Sequence, residues 1–227
     1  MSTAPKFEIH IVFDNRCVRE GFLTGFGFSA LIRNPSTNSY SLFDTGGDGN
    51  VLIHNIRQFD VNLNQIKNVV ISHSHFDHSG GLSEVIKHNP NIKIYVPKDN
   101  HTTFQRRFSQ QEIIGVEQEE EIEENMMTSG QIGSSIKEEA LYLKNQNQEI
   151  FVIVGCTHPG LEKFIIRARK IGNVKGIVGG FHGFRKYSYL EGIEVIAACH
   201  CTSHVQAIKK RFPNHYKQIC VGDTISF

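Results

Sequence analysis

No stretch of this chain stays apolar for the length of a bilayer span, so no membrane partner is expected. The opening residues, Met1-Ser2-Thr3-Ala4-Pro5-Lys6-Phe7-Glu8, have no apolar core, and no secretory leader is expected either. Cysteine is sparse: there are 5, an odd number and far below the density of a disulfide scaffold. That scarcity predicts reduced thiols and a cytoplasmic protein. Charge of one sign is lacking too. With 24 Lys and Arg against 23 Asp and Glu, the formal net charge is +1, which argues against a nucleic-acid groove. There is no internal repeat and no Pro/Ser-rich linker, so the 227 residues are read as a single domain.

What the chain does have is histidine, 12 in all. The decisive run is Ser72-His73-Ser74-His75-Phe76-Asp77-His78-Ser79-Gly80-Gly81. It directly follows the apolar Val69-Val70-Ile71, and a strand ending there would send His73 and His75 to one side. Asp77 and His78 would follow on the turn. Neutral imidazoles and a carboxylate are ligands that zinc, iron and manganese accept, and the split predicts two adjacent metal ions.

A metal needs further ligands. His158 follows the apolar run Ile150–Val154, and His200 follows Val195–Ala198, each where a loop can project a ligand over a sheet edge. Cys199 and Cys201 flank His200, and Cys156 lies two before His158; in extended backbone the neighbours of His200 point to the opposite face and cannot readily share its metal, so buried reduced thiols are expected.

Hydrophobic periodicity predicts strands at Phe7–Phe13, Gly25–Arg33, Ser41–Asp44, Asn68–Ser72, Ile92–Pro97, Glu149–Val154, Gly176–Gly180, Val195–Ala198 and Ile219–Phe227. Helices are predicted at Asn50–Phe59, Gly81–His88, Leu161–Ile171 and His204–Phe212. From His101 the pattern loosens, and the glutamate-rich Glu117–Glu124 reads as a solvated part of a variable acidic loop region near 105–135. The alternation of strands and helices predicts a layered α/β domain.

The His-x-His-x-Asp-His run at 73–78 resembles the signature of the metallo-β-lactamase superfamily. That resemblance implies a four-layer αβ/βα sandwich with a dinuclear site at the edge of its two sheets. By position, His73, His75 and His158 would hold one metal, and Asp77, His78 and His200 the other. The resemblance implies two divalent ions, zinc first, with manganese or iron as alternatives. Asp44, in Phe43-Asp44-Thr45-Gly46, would sit behind the ligands and receive a histidine N–H.

Within the superfamily the chain is similar to the 7,8-dihydropterin-6-methyl-4-(β-D-ribofuranosyl)-aminobenzene-5′-phosphate synthase group. The similarity rests on Gly27–Ile32, Leu42–Gly46, the metal run, Gly155–Gly160, Gly179–His182 and His200–Thr202. Where hydrolases of the superfamily carry an aspartate bridging both metals, this chain has Gly179-Gly180-Phe181-His182, so His182 becomes the candidate for the bridge or for contact with substrate. Arg185 and Lys186, and also Arg106 and Arg107, are candidate phosphate partners.

The expected function is therefore a metal-dependent hydrolase or transferase acting on a small, phosphorylated substrate, with Asp77 and His182 in catalytic roles. An oligomer is compatible with this reading. The alternative is a non-catalytic metal-binding or sensing module of the same fold.

Overall fold

The computed structural model describes residues 6–227. Among the described residues, thirteen strands form two sheets. The first contains β1 (Glu8–Phe13), β2 (Ser29–Arg33), β3 (Tyr40–Phe43), β4 (Ile66–Val70), β5 (Lys93–Pro97), β6 (Glu112–Val116) and β13 (Thr224–Ser226), in the order β13-β1-β2-β3-β4-β5-β6. The second contains β7 (Glu120–Glu123), β8 (Met126–Thr128), β9 (Leu141–Lys144), β10 (Glu149–Val154), β11 (Asn173–Gly180) and β12 (Val195–Cys199), in the order β12-β11-β10-β9-β8-β7.

Burial explains the layering. Phe28, Ile32, Phe43, Phe151 and Ile153 belong to one apolar cluster shared by the facing sheets. The outer face of the first sheet packs with Leu52 and Ile56 of α1 (Gly49–Arg57), Leu82 and Val85 of α3 (Leu82–His88), and Phe104 of α4 (His101–Arg107). The outer face of the second packs with Leu161, Phe164 and Ile165 of α5 (Leu161–Ala168) and Ile208 of α6 (Val205–Arg211). This is the four-layer αβ/βα arrangement that the motif implied. The near-continuous apolar strands, such as Ile150–Val154, follow from burial on both faces.

Helix α1 shows how local sequence sets an element boundary. The carboxylate of Asp48 caps it, accepting the N–H groups of Asn50 at 2.8 Å and Val51 at 3.3 Å. Helix α2 (Phe76–Ser79) is a single turn immediately after the first histidines.

Strands β3 to β6 run parallel, and so do β10 to β12. Parallel strands share one carboxyl edge, and ligands gather beyond such edges. Asp44, the 73–78 run, Cys156–His158, Phe181–His182 and His200 all follow strands of these two sets.

Two expectations need correction. The region near 105–135 is not a loop: it holds the end of α4 and all of β6, β7 and β8. Glu123 explains part of the misreading. Its carboxylate is tied down by Ser39, whose hydroxyl lies 2.7 Å from Oε1, and by the Asn34 amide 3.1 Å from Oε2, while Glu120 and Glu121 stay exposed. A charged outermost strand blocks further pairing, which hides it from a hydrophobic-pattern search. Second, the thiols are not all reduced: Cys17 and Cys220 form a disulfide joining segments 203 positions apart, contrary to the inference drawn from cysteine scarcity. Among the described residues, no helix is long and apolar enough to cross a membrane.

Candidate metal centre

The histidine loop begins two residues past the end of β4, so strand parity is not what brings His73 and His75 together. A turn does it instead. His73 Nε2 and His75 Nδ1 face each other at 3.0 Å. His75 then starts α2, which carries Asp77 and His78 inward.

Hydrogen bonding fixes which ring nitrogens are free, a deduction that rests on donor and acceptor counting. The Ser72 hydroxyl donates to Asp44 Oδ2 at 2.7 Å and so must accept from His73 Nδ1 at 2.9 Å. His78 Nδ1 donates to Asp44 Oδ2 at 2.6 Å. His200 Nδ1 donates to the Asn15 side-chain oxygen at 2.8 Å. His158 Nδ1 pairs with Glu138 Oε1. All four imidazoles are thereby left with a bare Nε2. His200 Nε2 is buried and has no hydrogen-bond partner; Asp77 Oδ2 stands 3.2 Å away without forming one.

Unpaired buried lone pairs are costly unless a cation receives them. The donor set fits metal ions. Ligand atoms of Asp77, His78, Cys156 and His200 all lie within 4.8 Å of one another, and so do those of His73, Cys156 and His158. His75 adjoins the second group through His73 and His158, its ring centroid 4.9 Å from that of His158. Five of the six residues predicted as ligands thus fall in two adjoining groups, and His75 stands beside the second.

Electrostatics favour ligation at His73, His75 and Asp77, whereas the carboxylates behind His78 and His158 favour the protonated imidazole, whose proton a bound cation would displace. Burial, reinforced by the neighbouring imidazoles, pushes His73 well below the usual histidine range, keeping it neutral as ligation requires. Burial also lowers His75. For Asp77, burial opposes ionisation, but contact with His200 and the charges of His78 and His200 prevail and hold the carboxyl at about 2. His78 is raised: burial lowers it, and the Asp44 charge and hydrogen bond outweigh that. His158 is raised chiefly by Glu138. Asp44, fully buried, is raised by burial, and its Oδ2 accepts from His78 Nδ1 and the Ser72 hydroxyl.

The backbone at the site is unusual. Asp44 (φ 57), Thr157 (φ 61), His182 (φ 42) and His200 (φ 45) all lie in the left-handed region although none is glycine. Such conformations persist where surrounding contacts over-determine them, typically at functional sites. Cys156 is a free, buried thiol, as expected, and just before the turn at Thr157 its Sγ lies 3.2 Å from His78 Nε2.

Residues not anticipated complete the support. Asp14 accepts the His200 N–H at 2.8 Å, and Arg16 donates from Nε to the His200 carbonyl at 2.8 Å. The sequence signal was Asp14-Asn15-Arg16, a polar cluster directly after β1. Glu138 binds His158 and also accepts the Thr157 N–H at 2.7 Å. Its neighbour Glu139 is fully buried. Oε2 meets the Thr128 hydroxyl, Oε1 has no partner, and burial pushes the acid up to about 8.

His182 joins neither ligand set; it is exposed, its ring centroid 4.9 Å from that of His158. It borders a cavity of about 370 Å³ together with His158, Phe181, Phe184, Arg185 and Lys186. The two basic residues differ. Lys186 Nζ is paired with Glu162 at 2.7 Å, whereas Arg185 Nε donates to His204 Nε2 at 2.9 Å and is not paired to a carboxylate. Arg106 and Arg107 end α4 and do not line the cavity.

Comparison with known proteins agrees with this geometry. Residues 23–184 match the family described as the metallo-β-lactamase superfamily. The chain belongs to that superfamily. As a metallo-β-lactamase superfamily protein it is 28% identical over 214 residues to an uncharacterised protein of Methanocaldococcus jannaschii, covering 77% of this chain and 78% of the relative. It is 22% identical over 263 residues to the 7,8-dihydropterin-6-methyl-4-(beta-D-ribofuranosyl)-aminobenzene-5′-phosphate synthase of the same organism, covering 89% and 90%. Among solved structures it resembles a metal-dependent hydrolase of the beta-lactamase superfamily, Tm1679, with a TM-score of 0.79, 24% identity, and coverage of 96% of this chain and 98% of that one. That likeness supports the superfamily fold.

Proposed function

We propose that this superfamily member is a dinuclear metal-dependent enzyme acting on a small phosphorylated substrate, as a hydrolase or as a transferase of the dihydropterin-ribofuranosylaminobenzene-phosphate synthase type. The observation that carries the reading is the convergence of two ligand sets beside a 370 Å³ cavity bordered by His182 and Arg185. That volume lies within the range of small-ligand sites, about 300–1,000 Å³.

His73, His75 and His158 would hold one ion, and Asp77, His78 and His200 the other, with zinc fitting the imidazole-rich sets. Bound there, the ions would polarise a phosphoryl or carbonyl oxygen and acidify water. The protein's own part is positional. Asp44, Glu138 and Asn15 aim the imidazoles, and the low pKa of Asp77, about 2, keeps it anionic at every physiological pH. Arg185 would take the substrate phosphate. The exposed His182 imidazole, beside His158 at the cavity rim, is placed to pass a proton to a leaving group.

Elemental analysis of purified protein, followed by a screen of phosphomonoesters, phosphodiesters, lactones and thioesters, tests the reading. Two ions per chain with turnover of a phosphorylated compound is expected. Two ions with no turnover of any class would favour a sensing module, and fewer than one ion would remove the metal-centre reading altogether.

A further inference from the structure

We infer that Cys156 is a metal ligand, its thiolate lying between the two ion positions as the group shared by both. This rests on the metal-centre reading proposed above. Cys156 is the one residue common to the two groups, with Asp77, His78 and His200 on one side and His73 and His158 on the other. Its Sγ lies 3.2 Å from the bare His78 Nε2, close to the separation of about 3.5 Å that a nitrogen and a sulfur ligand have on one tetrahedral zinc. The buried, unpartnered His200 Nε2 belongs to the same group.

The opposite wall leaves the role open. At the end of β11, a Cβ on Gly180 would come within 2.5 Å of both Cys201 Sγ and the Gly155 carbonyl oxygen, so no side chain can reach across from that position. Asp77 is the only carboxylate in either group among the described residues. A thiolate has lone pairs enough for two ions, and it forms by loss of the thiol proton to solvent as the sulfur–metal bonds form. The thiol of Cys201 is near, its Sγ 3.8 Å from the Cys156 carbonyl oxygen, but it enters neither ligand group.

Two measurements on the full chain decide the matter. X-ray absorption at the zinc edge of the unmodified, zinc-loaded protein is expected to show a sulfur neighbour at about 2.3 Å. Cobalt-loaded protein is expected to show a sulfur-to-metal charge-transfer band in the near ultraviolet. Cys156→Ser should abolish that band and weaken at least one of the two metals tenfold or more; Cys201→Ser should keep both the band and the affinity. A zinc shell of nitrogen and oxygen alone, or a band that survives in Cys156→Ser, overturns the inference while two bound ions leave the metal-centre reading standing. A chain that binds no metal removes both. If Cys156→Ser does not fold, the absorption edge of the unmodified protein still decides.

Discussion

Replacing Glu139 with Gln should stabilise the protein at neutral pH and flatten its stability profile. The acid is fully buried and its proton is held to about 8, against 4.5 for an unperturbed glutamate. Between those values the unfolded chain releases the proton and the folded chain keeps it. The folded state therefore binds more protons, and stability must fall as pH rises through that window. Worked through for one group, the penalty is about 1 kcal/mol at pH 5 and about 3 kcal/mol at pH 7. Gln cannot ionise and so escapes it. Its carbonyl can still accept the Thr128 hydroxyl, and its amide would occupy the place of an Oε1 that already lacks a partner. The net gain at pH 7 should be about 2–3 kcal/mol, or a melting temperature higher by roughly 4–12 °C for a chain of this size. Urea unfolding at pH 5 and pH 7, on wild type and variant, measures it. Other titrating groups contribute equally to both proteins and cancel in the difference. Parallel pH profiles for the two would refute the buried neutral acid.

Three further outcomes follow from the site. His75→Ala should lose most of the metal at the His73/His158 position while retaining the fold, because its exposed turn carries little of the core; unchanged metal content by elemental analysis would reject the ligand assignment. Asn15→Ala removes the acceptor that orients His200 and should weaken one metal by about 10–100-fold, as loss of such supporting hydrogen bonds typically does; equilibrium competition with a chelator reads this, and an unchanged affinity would dismiss Asn15. Arg185→Ala should weaken a phosphorylated ligand more than Lys186→Ala, since Lys186 is already paired with Glu162 and Arg185 has no carboxylate partner; calorimetry with a dephosphorylated analogue as control checks it, and equal losses for both ligands would make Arg185 ordinary surface.

Legibility in the sequence followed the range of the physics. Strands buried on both faces, such as Ile150–Val154, and capped amphipathic helices, such as Gly49–Arg57, announce themselves within ten residues. The metal run was legible for a different reason: four ligand-type residues within six positions serve no ordinary packing purpose. The strands near 112–128 were not legible, because Glu120 and Glu121 face solvent at the sheet edge and Glu123 finds its partners at Asn34 and Ser39, more than eighty positions away. His182 lines the cavity rather than joining either ligand group, a position that depends on how β11 ends and not on its neighbours in the chain.

By itself, then, the sequence determined the layered α/β class, the histidine-aspartate run and the identity of six side chains suited to metal ions, since periodicity and ligand chemistry are local properties. Tertiary structure alone decided the rest. It joined Asp14, Asn15 and Arg16 to His200 across about 185 positions, set Glu138 against His158, and turned Cys156 toward both ligand groups. One physical reason is the left-handed backbone at Asp44, Thr157, His182 and His200, which breaks the alternation of faces past the ends of β3, β10, β11 and β12. Only long-range contacts hold a chain in those conformations, so no local reading of sequence could have foreseen where the side chains point.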